Sequence, residues 1–191
     1  MSPSTRRFFA RTAPALLALA ALSMPGSASA GEIQVAAGPG VYGSSWRGDA
    51  TGGSALRLGY RFADVIAVDY IGRLGYGTVN DRVITYLSLG ATVYGRVWKL
   101  RPYARLAFVH QHEESTSAVK DDPWGATFGV GDGIRHRGGG GTSLGLDLPL
   151  MKTKVVELTL GIDSSAAYFP DPRGPKVYAG GALWLGMNFG I

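Results

Sequence analysis

Cysteine is absent from the 191 residues. That excludes disulfide staples and thiolate metal sites. An excess of one charge is also missing. Setting aside Arg6, Arg7 and Arg11 near the N-terminus takes the formal charge from +5 to +2, which is no footprint for a nucleic-acid partner. Beyond Ala30 no uncharged apolar run approaches the roughly 18 residues of a membrane-spanning helix. No long segment carries the 3.6-residue apolar period of an amphipathic helix, and no sequence repeat is evident. Glycine, by contrast, is plentiful. Its 29 copies are largely dispersed, as suits a chain with many turns and closely approaching strands.

The first thirty residues read as a cleaved export signal. Arg6, Arg7 and Arg11 form a basic start, and Ala13 to Leu22 is apolar but too short to span a bilayer. Ala28-Ser29-Ala30 is a small-x-small cleavage site. The organisation expected is therefore a signal peptide over 1–30 and one domain over 31–191. Thr5 to Phe9 also resembles a twin-arginine signal. That route carries folded proteins, so general secretion suits the reading below better.

What fills residues 31–191 is alternation. Period-two patterning predicts about eight strands, over 33–42, 54–62, 65–76, 83–98, 102–112, 142–150, 154–163 and 176–191. In the last, Val177, Ala179, Leu183, Leu185, Met187 and Phe189 share one face. Tyr178, Gly180, Ala182, Trp184, Gly186 and Asn188 share the other. Such a strand suits a wall between lipid and a polar lumen. Alternation alone does not say which face points in, and a soluble lipocalin-like barrel would hide the apolar one.

Three features favour a membrane wall. The export signal and the terminal strand fit one destination. Short connections at 62–64, 99–101 and 151–153 alternate with mostly longer ones at 43–53, 77–82, 113–141 and 164–175, as in barrels with short periplasmic turns and longer outer loops. Aromatic residues gather near strand ends, at Tyr60, Phe62, Tyr76, Trp98, Tyr103, Tyr168, Phe169 and Phe189, where membrane interfaces favour them.

On these strands and termini the chain resembles the small eight-stranded outer-membrane β-barrels, OmpA-like or OmpX-like. The resemblance is one of pattern over residues 31–191. It implies a closed antiparallel up-and-down transmembrane barrel in the Gram-negative cell envelope, with both termini in the periplasm and four outer loops. It also implies that Gly186, Phe189 and Ile191 form the C-terminal assembly signal, Ile191 departing from the usual aromatic. The partners implied are outer-membrane lipids, lipopolysaccharide and, during insertion, the barrel-assembly machinery. It does not name one activity, because this scaffold carries many.

With the mixed faces inward, Arg57, Arg61, Asp69, Arg73, Arg96, Arg105, Asp147, Glu157 and Asp163 line the lumen. A barrel of eight strands has room for little beyond side chains, and unpaired buried charges are costly. The expectation is a network of arginine–acid pairs that plugs the barrel. The balanced signs speak against a selective ion conduit.

The longest connection, 113–141, draws in all three histidines. His110 and His112 share a strand face and form a candidate metal pair, with His136 or Glu113 to complete it. The competing reading leaves them in the outer headgroup zone, and no cofactor is expected. Asp121-Asp122-Pro123 and the glycines from 129 to 133 are read as turn chemistry and not as a calcium loop. Trp124 and Phe128 are candidates to fold onto the rim or meet a partner.

Lipid A deacylases resemble this architecture, and His110 or His112 with Glu113 and Ser115 supplies the residue types of a hydrolase. Neighbours in sequence rarely make a catalytic set. The function expected is therefore structural or surface recognition without catalysis. A lipid-modifying enzyme and a porin-like pore for small solutes are the alternatives.

Overall fold

A computed structural model describes residues 31–131 and 134–190. The export-signal reading of 1–30, and Ile191 of the expected assembly signal, lie outside the described residues. The strands are β1 (Glu32–Ser44), β2 (Ala50–Phe62), β3 (Ile66–Gly77), β4 (Arg82–Tyr94), β5 (Arg101–Ser115), β6 (Arg135–Lys152), β7 (Val156–Tyr168) and β8 (Val177–Gly190). Each pairs antiparallel with its neighbour in sequence. β1 also pairs with β8, from Glu32↔Gly190 to Ser44↔Tyr178, so the sheet closes into a barrel. Closure leaves no strand edge unpaired, the condition for a sheet to cross lipid.

The sidedness that alternation left open is settled by exposure. Leu106, Phe108 and Leu144 are 72%, 64% and 66% exposed, and Leu89, Ile162, Leu183 and Leu185 are exposed with them. The other face buries Arg57, Asp69, Arg105, Asp147 and Asp163. An aqueous barrel would have the reverse arrangement, because so broad an apolar surface is not left in water. The lipocalin-like alternative is thereby overturned. The outer surface is a lipid-facing belt and the interior is polar.

The connections are of two kinds. Residues 63–65, 95–100 and 153–155 make short turns at the end that also holds Glu32 and Gly190. Residues 45–49, 78–81, 116–134 and 169–176 join strands at the opposite, outer end. Ala63 and Asp64 turn the chain tightly with φ of 48° and 61°.

Several strands differ in length from their sequence reading. β6 begins at Arg135, so the connection expected over 113–141 shrinks to 116–134. Gly138 to Gly141 carries no side-chain alternation and so reads as loop. In the barrel these residues pair with β5 and, at 140 and 141, with β7. A Cβ on Gly139 would meet the Tyr168 carbonyl and the Phe169 ring, so the absent side chain lets the strands approach. β4, in contrast, ends at Tyr94 and not at residue 98. From Gly95 the chain folds into a turn closed by a Val97↔Leu100 bridge, with Trp98 at φ 57°.

Two short helices occupy the longest connection, α1 (Thr116–Asp121) and α2 (Pro123–Phe128). Ser115 caps α1 by accepting from Ala118 N. Asp122 caps α2 by accepting from Gly125 N at 2.9 Å. Gly129 ends α2 in the left-handed region at φ 70°. These are the turn roles that the aspartates and glycines suggested.

Candidate functional site

The barrel interior is built of arginines, each with a carboxylate partner. Near the short-turn end Arg61 meets Glu32, and Arg101 forms two hydrogen bonds with Glu157, one at 2.9 Å. Asn188 also donates to Glu157 at 3.1 Å. Midway, Arg105 meets Asp69 at 2.5 Å, and Thr92 adds a second bond to the same carboxylate. Arg57 lies 3.6 Å from Asp147, donates to the Tyr103 hydroxyl and sits over the Tyr103 and Trp184 rings. Higher, Arg73 reaches Asp163 at 3.3 Å and Ser165 at 2.9 Å.

The outer mouth holds the densest part. Glu113 accepts from Arg137 at 2.6 Å and from Arg135 at 3.2 Å, lies 3.9 Å from Arg82, and accepts a hydrogen bond from the Tyr178 hydroxyl. Arg82 is held in turn by Asp49 at 2.5 Å. Arg137 also donates to the Gln111 side chain at 2.7 Å and the Pro175 carbonyl at 2.6 Å.

Of the nine expected lumen residues, Arg57, Arg61, Asp69, Arg73, Arg105, Asp147, Glu157 and Asp163 are buried inside. Arg96 is not. Because β4 stops at Tyr94, Arg96 falls in the exposed turn and borders a cleft with Asp64, Trp98, Lys99 and Lys152. Sequence reasoning missed Glu32, Asp49, Arg82, Arg101, Glu113 and Arg137. All lie at strand ends or in loops, beyond the apolar segments that served as markers. Extending the strict alternation of β5 outward from Gln111 to Glu113 was the available signal.

Two aromatic assignments also change. Tyr103 is buried in the lumen, and Phe169 turns inward to pack edge-on against Tyr86 and Tyr178. Tyr60, Phe62, Tyr76 and Tyr168 remain exposed on the outer surface, and Trp98 is exposed in its turn.

The histidines lie on the opposite side of the same wall. β5 and β6 pair in a register that sets His112 directly across from His136 and Glu113 across from Arg135. His110, His112 and His136 project from the outer surface of the barrel, beyond Leu106 and Phe108 toward the long-loop end. Glu113 points inward, so it does not complete that group, because successive strand residues face opposite ways.

Ser115 is likewise apart. Its hydroxyl caps α1 and contacts Ser117 at 2.8 Å. Among the described residues no hydrogen bond joins it to a histidine.

The loops carry their own short-range ties. Asp81 accepts from the Thr116 hydroxyl at 2.7 Å and from Tyr76, and these bonds hold its carboxyl below the usual carboxylate range. Asp171 accepts from the side chain and backbone of Arg173, which hold it down at about 2.

Of the residues expected to form an assembly signal, Gly186 is buried on the inner face of β8 and Phe189 is half-buried on the outer face, opposite Ile33 and Val156.

No protein-family model and no curated protein sequence matches the chain. Solved structures do. Neisserial surface protein A (NspA) aligns with a TM-score of 0.55 at 21% identity, over 86% of this chain and 99% of that one. The outer membrane protein OprG from Pseudomonas aeruginosa aligns with a TM-score of 0.52 at 14% identity, over 86% of this chain and 98% of that one. At these identities the likeness speaks to fold and not to ligand. The chain has the fold of the small eight-stranded outer-membrane β-barrels, and its own apolar belt places that fold in a membrane.

Proposed function

We propose that this protein is a non-enzymatic outer-membrane barrel whose lumen is closed by paired charges and whose outer loops serve surface structure and recognition. The observation that carries this reading is the stack of arginine–carboxylate pairs across the interior. The cavity near Arg73, Tyr86 and Tyr178 measures about 30 Å³, room for a water or two. Both signs occur within each group, whereas a selective conduit uses a ring of one sign. Planar-bilayer recording from the purified barrel tests the reading. Absence of steady conductance is the expected result, and a large stable conductance would make the protein a solute pore.

The lipid A hydrolase reading loses support from the helix-capping role of Ser115. Mass spectrometry of lipid A from expressing cells is expected to show every acyl chain retained. Loss of a chain that Ser115→Ala abolishes would establish the enzyme instead. The lipid-facing belt suits bilayer lipids, with lipopolysaccharide as the outer-leaflet partner. Gly186, Phe189 and Ile191 would address the assembly machinery during insertion.

A further inference from the structure

The three histidines form a cluster that neither the lumen network nor the lipid belt explains. Their ligating nitrogens all lie within 4.8 Å of one another. The ring centroids of His110 and His112 are 4.7 Å apart, and those of His112 and His136 are 4.6 Å apart. Among the described residues their one hydrogen-bond contact is with each other, His136 Nδ1 to His110 Nε2 at 3.4 Å. That separation is long for a hydrogen bond. It is close to the ~3.3 Å that separates two nitrogens bound tetrahedrally to one zinc ion at about 2.0–2.1 Å.

A second observation points the same way. His112 is only 4% exposed, yet its Nδ1 has no hydrogen-bond partner. What covers it is the end of α2. Gly129, in its left-handed conformation, lies against the imidazole, and a Cβ there would collide with the ring. Histidines resting in a headgroup zone would instead turn their nitrogens to water or lipid phosphate. Here a buried nitrogen without a partner is held beside two further imidazoles. Glu114, next on that face, is also buried with one carboxyl oxygen unpartnered, which places a further oxygen ligand type two residues along from His112.

We propose that His110, His112 and His136 bind one divalent transition-metal ion of the zinc, nickel or copper class at the outer rim, and that the ion fastens the α1–α2 loop against the barrel. Three neutral imidazoles suit these borderline ions. His136 is exposed, which leaves the fourth coordination position open toward solvent, as in zinc sites with three protein ligands. Bringing all three nitrogens to bonding distance requires ring reorientation, with no change in strand register. Bound metal would join β5 to β6 through side chains and stabilise the loop that rests on His112 by binding only the closed arrangement. The inference is independent of whether the lumen conducts.

The test uses the mature full-length barrel, prepared without a histidine tag, stripped with chelator and folded in detergent. Calorimetric titration with zinc is expected to show one ion per chain. His112→Ala and His136→Gln should each weaken binding at least tenfold while keeping the heat-modifiable gel migration of a folded barrel. Zinc should also slow proteolysis within 116–134 in the wild type and not in His136→Gln. Failure of wild type to bind zinc, nickel or copper saturably would overturn the proposal. So would wild-type affinity in His136→Gln, whose exposed position makes it the deciding variant if His112→Ala does not fold.

Discussion

Glu113 and His112 are consecutive residues with opposite surroundings. Glu113 points into the outer mouth and is met by Arg82, Arg135, Arg137 and Tyr178. His112 points outward, is equally buried, and has a nitrogen that nothing meets. The comparison separates two uses of buried polarity. Inside the barrel every buried guanidinium finds a carboxylate, although some Nε atoms, such as those of Arg57 and Arg73, stay unpartnered. Such pairing resists separation, because removing one partner strands the other in a low-dielectric interior. On the rim the His112 Nδ1 and one Glu114 oxygen have no partner, an arrangement that adds little to stability by itself.

The largest effect should come from breaking the inner side. Glu113→Ala leaves three arginines short of their shared acceptor and should cost about 3–5 kcal/mol, read from urea unfolding in detergent or lipid. His112→Ala in metal-free protein should stay within about 1 kcal/mol of wild type, since it removes an unpartnered nitrogen. If the two substitutions cost the same, the distinction between the two faces collapses.

Asp69→Asn probes the middle of the lumen, where it weakens the bonds to Arg105 and Thr92. A loss of about 2 kcal/mol is expected in the same measurement. Gly129→Val sharpens the rim side. Its left-handed φ of 70° and its contact with His112 make a branched side chain unfavourable by about 1–3 kcal/mol. The change should appear as faster cleavage within 116–134, with the barrel's unfolding midpoint hardly moved.

The smallest effect belongs to the loop acids. Asp171 has a folded pKa of about 2, below the ordinary value near 3.9. Its contribution is therefore complete above about pH 4 and fades as pH falls toward 2. The Asp81 tie between Tyr76, Thr116 and the loop follows the same sign, since its pKa is also lowered. NMR of loop resonances should show both ties released only under acid, with the barrel intact.

The eight strands and their two faces were legible because a strand's side-chain period is two and each apolar segment is long enough to show it. Leu106 and Phe108 against Tyr103 and Arg105 is such a pattern. The strand ends were less legible. Gly138 to Gly141 carries no side chains to alternate, and the polar run from Glu113 to Ser115 has no apolar marker, so both read as loop. Arg96 erred the other way. Its alternation with Val97 continues past Tyr94, but the backbone turns at Gly95 to close the shortest route to β5.

The candidate site shows the same division. That His110 and His112 share a face follows from local geometry. That His136, 24 residues beyond His112, sits opposite it follows from the β5–β6 register, which long-range hydrogen bonding sets.

The chain by itself therefore determined a set of amphipathic strands, a glycine-rich and cysteine-free composition, and charges confined to one face. Tertiary structure decided which face meets lipid, which arginine meets which acid, and which histidines meet at all. The physical reason is distance along the chain. Periodicity is a property of neighbouring residues. Partners such as Arg73 and Asp163, or His112 and His136, are chosen only when barrel closure and strand register bring remote segments together.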